Sequence, residues 1–449
     1  MSKQRIQLSD HFTYSRLLRF VLPCIGTMLF TSIYGIVDGL CVSNFVGKTA
    51  FAAVNLIMPL PMLLGTIGFM LGTGGSAIVG ITLGEGDQKK ADRYFTLFLL
   101  AALVSVSVLA VLGIVFLRPI AVLLGAKGEL LDYAVRYGRI LMVSLPTFAL
   151  QNMFQSFFVT AEKPHLGFWF TVGAGCTNMV LDVLMVGIWG WGVEGAAIAT
   201  FISQLVGGVL PVFYFIDRSN SSRLHLCKTS FYSKVLRDAC INGSSELMTN
   251  LSMSLVNILY NYQLLRLAGE NGVAAYGVIM YAAFLFVAVF VGYAVGSAPI
   301  VSFHYGALNH AEVHNLYRKS LRLIAVVAVT LTLASMFIIP CVARIFVGYD
   351  AELLALTSRA FRLYALSFLI MGFNVYASSF FTALGDGVTS ALISFLRTLA
   401  FQVIAILLLP LLLGIDGIWL AVTAAELAAL AVSATMLLTK DKVFHYRKA

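Results

Sequence analysis

Charged residues are scarce in this sequence of 449 residues: Asp, Glu, Lys and Arg together make up 11% of the chain. A soluble domain carries about 25% of these residues. Hydrophobic residues make up 59%, a richness that also excludes a disordered chain. At about 20 apolar residues per transmembrane helix, this content suffices for about a dozen spans and leaves almost nothing for a soluble domain.

Cysteine is scarce as well, and its spacing shows no pairing. The six cysteines lie at positions 24, 41, 176, 227, 240 and 341. Most fall inside apolar runs, where cysteine behaves as a small hydrophobic core residue. No disulfide framework and no cysteine-based metal site is therefore expected.

Long apolar runs are what the chain does contain. None of them shows the alternating polarity of a β-barrel strand, and the polar first 19 residues are typical of an uncleaved start-transfer segment rather than of a cleavable signal. The sequence therefore predicts an all-α integral membrane protein with twelve transmembrane helices. The predicted spans cover residues 20–39, 51–79, 94–117, 138–160, 166–187, 193–216, 240–265, 273–303, 321–347, 361–383, 389–413 and 416–438.

The basic residues predict the orientation of these spans. Lys and Arg in short loops remain on the cytoplasmic side, and most of the 30 Lys and Arg residues fall in segments that are inside if the N-terminus is inside. Both termini are therefore expected in the cytoplasm. The formal net charge of +9 reflects this bias, and no nucleic-acid partner is expected.

The chain also resembles itself. A shift of 222 residues aligns 46–84 with 268–306 without a gap, and the aligned identities include Gly47/Gly269, Gly74/Gly296 and Gly84/Gly306. We interpret the chain as two parallel six-helix bundles, residues 1–216 and 240–449, joined by a cytoplasmic linker at 217–239. By analogy, paired bundles of this kind belong to transporters that rock about a central cavity.

The energy source follows from what the loops lack. The nearest match to a phosphate-binding loop is Gly47-Lys48-Thr49, but Val42 stands where the motif needs a glycine. No cytoplasmic segment is large enough to fold into a nucleotide-binding domain. A transporter with this sequence is expected to be driven by an ion gradient.

Ionisable residues at bilayer depth are functional candidates because insertion of each costs about 3 kcal/mol. In the N-terminal half, Asp38 lies 19 residues beyond Arg19, or about 28 Å at about 1.5 Å per residue. Asn178 and Asp182 share one helix face, and with Thr200 they reach the same outer half of the membrane. The four could bind Na⁺ or take up protons. In the alternative interpretation, Asp38 only caps its helix and Asp182 only bonds a neighbouring helix.

The C-terminal half contributes Glu246, Arg397 and Glu426. Arg397 and Glu426 lie near the midplane on consecutive helices and could form a structural ion pair. Glu246 has no partner close in sequence, so it is a candidate for a cationic substrate or a proton. Aromatic residues could line a cavity for flat organic cations, and Pro23 is a candidate hinge. The cavity candidates are Tyr34, Phe154, Glu246, Tyr260 and Tyr281.

One apparent metal motif does not carry catalysis. His310, Glu312 and His314 lie close together, but a zinc protease needs its Glu directly after the first His. An intramembrane enzyme would need a paired nucleophile or metal ligands at one depth, and neither occurs. The protein is therefore not expected to be an enzyme.

The sequence resembles the multidrug and toxic compound extrusion (MATE) family, in the superfamily that also contains polysaccharide-lipid flippases. The resemblance covers essentially the whole chain. Its most specific element is Asn178-x3-Asp182 with Thr200. The other motifs are Ile36-Val-Asp38 after Pro23, Gly74-Gly-Ser-Ala77, Gly84-Glu-Gly-Asp87 and Ala298-Pro-Ile-Val-Ser-Phe-His-Tyr-Gly306.

The resemblance implies a function and a site. In prokaryotic members the positions matched by Asp38, Asn178, Asp182 and Thr200 form a cation site for H⁺ or Na⁺. A second family scheme uses an acid that Glu246 matches and another in the tenth span, where this chain has Asn374 and no acid. The implied function is an antiporter that exports organic cationic or amphipathic compounds, with a lipid-linked oligosaccharide flippase as the alternative.

The resemblance also implies the setting. The expected location is a bacterial or archaeal cytoplasmic membrane. The expected partners are small organic substrates and membrane lipid, with no cofactor beyond the coupling ion, and the expected oligomeric state is a monomer.

Overall fold

The computed structural model describes residues 6–46, 48–348 and 350–447, and these residues are almost entirely helical. No β-strand occurs within these ranges, so the predicted all-α class is confirmed. Gly47 of the self-alignment lies outside them. The α-helices are α1 (Tyr14–Phe45), α2 (Lys48–Ile57), α3 (Pro59–Gly84), α4 (Gln88–Leu123), α5 (Gly128–Thr160), α6 (Pro164–Asp182), α7 (Gly192–Gly208), α8 (Leu210–Ile216), α9 (Ser233–Asn242), α10 (Ser244–Gly306), α11 (His310–Val347), α12 (Ala351–Ala365), α13 (Phe368–Ala383), α14 (Gly387–Phe395), α15 (Phe401–Leu413), α16 (Ile415–Thr439) and α17 (Asp441–Phe444).

Along the described ranges these helices trace the twelve predicted spans. Two π-helical segments, Val183–Ile188 after α6 and Leu396–Ala400 between α14 and α15, continue the helices that precede them. The second, sixth and tenth spans are each built from two consecutive helices, and the pair α12 and α13 bends by 46°. α10 has 63 residues and contains two spans, because Gly269 breaks it with φ 61° and ψ −151°. The short helix α9 lies in the linker between α8 and α10.

The connections that follow the second and eighth spans use the same local chemistry. After α3, Gly86 adopts a φ of 86°, and the carboxylate of Asp87 accepts the backbone N–H of Lys90 at 3.0 Å. After α10, Leu308 has a φ of 55°, and the side chain of Asn309 accepts the N–H of Glu312 at 3.2 Å. A left-handed residue ends one helix and an N-cap begins the next in both halves.

The hydrophobic clusters show how the two bundles meet. We call α1–α8 the N-lobe, α10–α16 the C-lobe, and the side where α1 begins and α16 ends the terminal side. One cluster joins both lobes near the terminal side. On the opposite side the N-lobe and the C-lobe have separate clusters. The cleft between the lobes is therefore closed at the terminal side and open at the other. The joint cluster includes Phe20, Leu83, Phe98, Ile300 and Phe380, the N-lobe cluster Ala53, Ile57 and Leu141, and the C-lobe cluster Val256, Ile279 and Trp419.

Glycines allow the closest approach between the lobes. A Cβ built on Gly84 would overlap the carbonyl oxygen of Phe303 and lie 2.7 Å from the nitrogen of Ala307. A Cβ on Gly306 would overlap the Ile81 carbonyl in the same way. Gly84 and Gly306 are partners in the 222-residue self-alignment, so equivalent residues of the two repeats face each other here. The pseudo-two-fold axis therefore passes between α3 and the second half of α10.

Candidate functional site

The two N-lobe aspartates meet inside the lobe. Asp38 comes from α1, and Asn178 and Asp182 from consecutive turns of α6. The Asp38 carboxyl lies close enough to the Asp182 carboxyl and the Asn178 side chain to interact electrostatically with both. Asn178 and Asp182 are fully or almost fully buried, at 2% and 0% exposure. Asp38, Asn178 and Asp182 thus lie together, as the depth of the aspartates in the membrane and the four-residue spacing of Asn178 and Asp182 predicted.

The oxygens of this group are poorly satisfied by the protein. Both carboxylate oxygens of Asp182, Oδ1 of Asp38 and Oδ1 of Asn178 are buried without a hydrogen-bond donor among the described residues. A buried oxygen without a donor costs about 1–3 kcal/mol, and more when it is charged. Two adjoining carboxylates cannot both stay ionised without a counter-ion or a shared proton. The arrangement is thus suited to a proton or a hard monovalent cation.

Thr200, the fourth predicted member, makes no hydrogen bond with these three side chains among the described residues. It lies half-buried on α7, a helix that packs against α6. Its backbone carbonyl accepts the hydroxyl of Ser203 at 2.8 Å. The structure therefore unites Asp38, Asn178 and Asp182, and the participation of Thr200 stays a prediction.

A π-helical segment follows the aspartate directly. Val183–Ile188 begins at the residue after Asp182. π-helical turns are rare and are found mostly at functional sites. The second such turn, Leu396–Ala400, contains Arg397. Sequence reasoning missed both turns, because a one-residue bulge in a helix has no apolar signature of its own.

The C-lobe holds a cavity of about 330 Å³ that reaches the interface with the N-lobe. Its charged lining residues are Glu246, Arg397 and Glu426, and its N-lobe lining comes from Thr73, Ser76 and Ser156. Tyr260 and Tyr276 stack in its wall with ring centroids 4.9 Å apart and planes at 14°. With both acids ionised, these three charges leave the cavity with one net negative charge.

Arg397 and Glu426 form the predicted ion pair. Nε of Arg397 donates to Oε1 of Glu426 at 2.8 Å. Sequence reasoning missed a third member: Nδ2 of Asn374 donates to Oε2 of Glu426 at 2.7 Å and to its backbone carbonyl at 2.9 Å. Glu426 is fully buried, so these donors compensate its charge. A polar residue on an otherwise apolar stretch of α13 was the available signal for Asn374.

The remaining acid of the cavity, Glu246, is less well neutralised. Its electrostatic interaction is with Arg397, which already pairs with Glu426. A carboxylate in an apolar cavity whose counter-ion is shared with a second carboxylate is positioned to bind a cation. Glu246 and Tyr260 thus line the same cavity, as predicted.

The other predicted cavity residues lie elsewhere. Phe154 is 1% exposed and stacks on Phe215 with centroids 5.6 Å apart, inside the aromatic core of the N-lobe. It is therefore a core residue in this conformation and not a cavity wall. Tyr34 is half-buried on α1 beside Phe30, and Tyr281 is 44% exposed on α10. Pro23, the candidate hinge, lies buried within α1, where its carbonyl accepts the hydroxyl of Thr27 at 2.9 Å.

Comparison with known proteins decides the family. The family model described as MatE matches this chain twice, over residues 23–184 and over residues 247–408. The chain belongs to the MatE family. The paired matches fall on the two repeats inferred from the self-alignment, and they make this MatE protein a multi-pass membrane transport protein, as its sequence predicted.

Relatives of this MatE chain include proteins named multidrug export protein MepA. The one from Staphylococcus saprophyticus is 21% identical over 436 residues, covering 96% of this chain and 95% of the relative. The one from Staphylococcus aureus strain MSSA476 is 22% identical over 433 residues with the same coverage.

Solved structures share the fold of this MatE protein. An outward-facing multidrug resistance MATE family transporter superposes with a TM-score of 0.92 at 22% identity, covering both chains completely. A MATE structure in the bent conformation has a TM-score of 0.89 at 22% identity and 99% coverage of both chains. The likeness confirms the twelve-helix, two-lobe fold.

Proposed function

We propose that this MatE protein is a secondary active antiporter that exports organic cationic or amphipathic compounds in exchange for inward H⁺ or Na⁺. It would act by alternating access in a bacterial or archaeal cytoplasmic membrane, with both termini in the cytoplasm. The observation that carries the proposal is the buried contact between Asp38 and Asp182. Two carboxylates whose oxygens lack protein donors have a reason to bind a cation or a proton in one state and release it in another.

The coupling step follows from where the two aspartates stand. Asp38 lies on α1 and Asp182 on α6, so repulsion between two ionised carboxylates drives these helices apart. A proton or Na⁺ removes that repulsion and lets them close. Each monovalent charge that returns inward supplies about 2.3 kcal/mol per 100 mV of membrane potential.

The substrate class follows from the C-lobe cavity. When Glu246 and Glu426 are both ionised, the net negative charge of the cavity and the stacked pair of Tyr260 and Tyr276 favour a flat organic cation. A flippase for a lipid-linked oligosaccharide would need a cavity rich in Arg and Lys, and Arg397 is the basic residue among the cavity-lining residues that the structure describes. The cavity charge therefore favours export of cations. The names of the MepA relatives agree with drug export.

The test is efflux of ethidium and of norfloxacin from vesicles that contain the protein, under imposed pH and Na⁺ gradients. Asp38→Asn and Asp182→Asn should each abolish gradient-driven efflux, because an amide can neither release a proton nor hold a cation as a carboxylate does. Asp132→Asn is the matched control, an exposed acid in the same lobe. Full efflux in both test variants would refute the coupling site. Wild-type efflux that needs only one of the two gradients would identify the ion.

A further inference from the structure

The residues that precede α1 cross between the lobes at the terminal side. We call residues 6–13 the strap. On the N-lobe, the backbone N–H of Leu8 donates to Oε1 of Glu162 at 2.9 Å. Glu162 follows α5 and is 8% exposed. One part of the strap is thus attached to the lobe that contains α1.

The tip of the strap is attached to the C-lobe. Glu312 on α11 binds it with both oxygens: Oε1 accepts the backbone N–H of Phe12 at 2.9 Å, and Oε2 contacts Nδ1 of His11 at 2.6 Å. From the same helix, Asn315 and Lys319 donate to the Phe12 carbonyl at 3.2 and 2.6 Å. Glu312 is 6% exposed, and its Oε1 also accepts the side-chain amide of Asn315 at 2.8 Å, so the strap and α11 hold its carboxylate together.

Apolar contacts place the strap inside the closed interface. Leu8 and Phe12 are both 0% exposed and belong to the cluster that joins the two lobes. The Phe12 ring meets that of Phe20 on α1 at 6.0 Å and that of His304 on α10 at 6.4 Å between centroids. The strap therefore fills a space whose walls come from both lobes.

Glu162 is also fixed by the linker. Nη1 of Arg223 donates to Oε1 of Glu162 at 2.6 Å, and the Arg223 guanidinium lies 4.9 Å from the ring centroid of Phe303 at the end of α10. Glu162 has a φ of 60°, a conformation that is costly for a residue with a Cβ. The carboxylate is thus positioned by contacts with the strap and the linker together.

The chain length makes this arrangement a lock. Phe12 is bound to the C-lobe, yet α1 of the N-lobe begins only two residues later, at Tyr14. Two residues span at most about 7 Å. If the lobes separate at the terminal side, Phe12 must leave Glu312 because the intervening chain cannot stretch further.

We propose that the strap locks the terminal side: its attachment to Glu312 holds the C-lobe against the N-lobe there, and Glu162 positions the strap. This inference rests on the alternating access proposed above. The lock holds the cleft open to the opposite side, and each transport cycle must release Phe12 from Glu312 before the terminal side can open. Glu312 thereby has a role that its place beside two histidines in the sequence did not indicate.

A native cysteine reports on this opening. Cys24 on α1 is 4% exposed, and a Cβ built on Gly296 of the C-lobe would lie 3.1 Å from its sulfur. A variant that keeps Cys24 as its sole cysteine, with the other five changed to Ser, is labelled with a maleimide in detergent. Labelling requires the lobes to part at the terminal side and needs no substrate and no gradient.

Glu312→Gln and Glu162→Gln should each label at Cys24 at least about tenfold faster, which corresponds to about 1.4 kcal/mol. Glu85→Gln is the matched control, an exposed carboxylate on the terminal side that pairs with Lys90 in its own lobe. If either variant fails to fold, Lys319→Met tests the same attachment, because it removes the hydrogen bond from the half-exposed Lys319 to the Phe12 carbonyl. The lock is overturned if the variants at Glu312 and Glu162, which we call the strap variants, label at the same rate as the parent. It is also overturned if Glu85→Gln accelerates the labelling of Cys24 as much as they do.

The lock and the proposed function can fail separately. Faster labelling in the strap variants without ethidium efflux by the wild type removes the transport proposal and keeps the lock. Gradient-driven efflux by the wild type with unchanged labelling in the strap variants removes the lock and keeps transport.

Discussion

The contact between Gly84 and Gly306 gives the sharpest prediction about conformation. We expect Gly84→Ala to open the terminal side. A Cβ at position 84 would overlap the Phe303 carbonyl and lie 2.7 Å from the Ala307 nitrogen, whereas ordinary contacts begin near 3.4 Å. Both atoms are backbone, so no side chain can rotate away, and α3 and α10 must separate by several tenths of an ångström or more.

The size of the effect follows from the cost of overpacking. An extra methyl in a tight interface costs about 1–3 kcal/mol, and about 1.4 kcal/mol is a factor of ten in an equilibrium. The closed state carries this cost and a state with separated lobes does not. The ratio of open to closed populations at the terminal side should therefore rise by about 5- to 150-fold.

The assay measures the distance between the lobes directly. Nitroxide labels are placed on Lys89→Cys in α4 and Arg318→Cys in α11, two exposed positions on the terminal side of different lobes, in a background without the native cysteines. Pulsed electron spin resonance should show a longer-distance population in Gly84→Ala and in Gly306→Ala. The matched control is Gly277→Ala, also in α10, where a Cβ meets nothing within 4 Å. Identical distance distributions in all of these proteins would refute the steric argument.

Three further predictions concern the C-lobe and its turn. Arg397→Met should lower the free energy of unfolding of the purified protein by about 3–5 kcal/mol, because it leaves Glu426 buried without its cation. The double variant with Glu426→Gln should recover most of that loss. Equal stability of the single and double variants would contradict this prediction. Glu246→Gln should slow the efflux of ethidium at least several-fold and leave a neutral substrate unaffected, so equal slowing of both would exclude a charge-specific role. At the turn before α14, burial opposes ionisation of Asp386, but the hydrogen bonds from Lys440 and Thr389 outweigh it and lower its carboxyl pKa. Asp386→Asn should therefore reduce the melting temperature at pH about 7, with the difference shrinking once the pH falls below about 4, where the unfolded carboxyl becomes protonated; a constant difference would reject this.

Much of the fold could be predicted because its determinants are local. Spanning length, loop charge and the 222-residue self-similarity each require only neighbouring residues or a self-comparison. The contact of Asp38 with Asp182 was also within reach, since counting residues from the membrane surface gives depth and a four-residue spacing gives a shared helix face. Depth does not give rotation about the helix axis, however, so the predicted depth of Thr200 could not decide whether its side chain contacts Asp38 and Asp182.

The rest depends on contacts between distant parts of the chain. Asn374 meets Glu426 across 52 residues and Phe12 meets Glu312 across 300, and no spacing rule connects them. Phe154 shows the converse problem, because an aromatic residue in a membrane span has the same sequence pattern whether it lines a cavity or packs in a core. Glu312 stood out in the sequence only as part of an apparent metal motif and Glu162 not at all, yet both are buried and accept backbone N–H groups of distant residues.

The facing pair of Gly84 and Gly306 also bears on the history of the chain. In a half-length ancestor that formed a symmetric dimer, these two positions would be one residue, present on both sides of the axis. Any larger side chain there would clash with its own copy, so a single mutation would count twice. Once the halves were fused, each side of the axis could change alone. Gly80 now faces Ser302, its partner in the self-alignment, with a built Cβ 2.8 Å from the serine Cβ, so this pair has diverged while Gly84 and Gly306 have not.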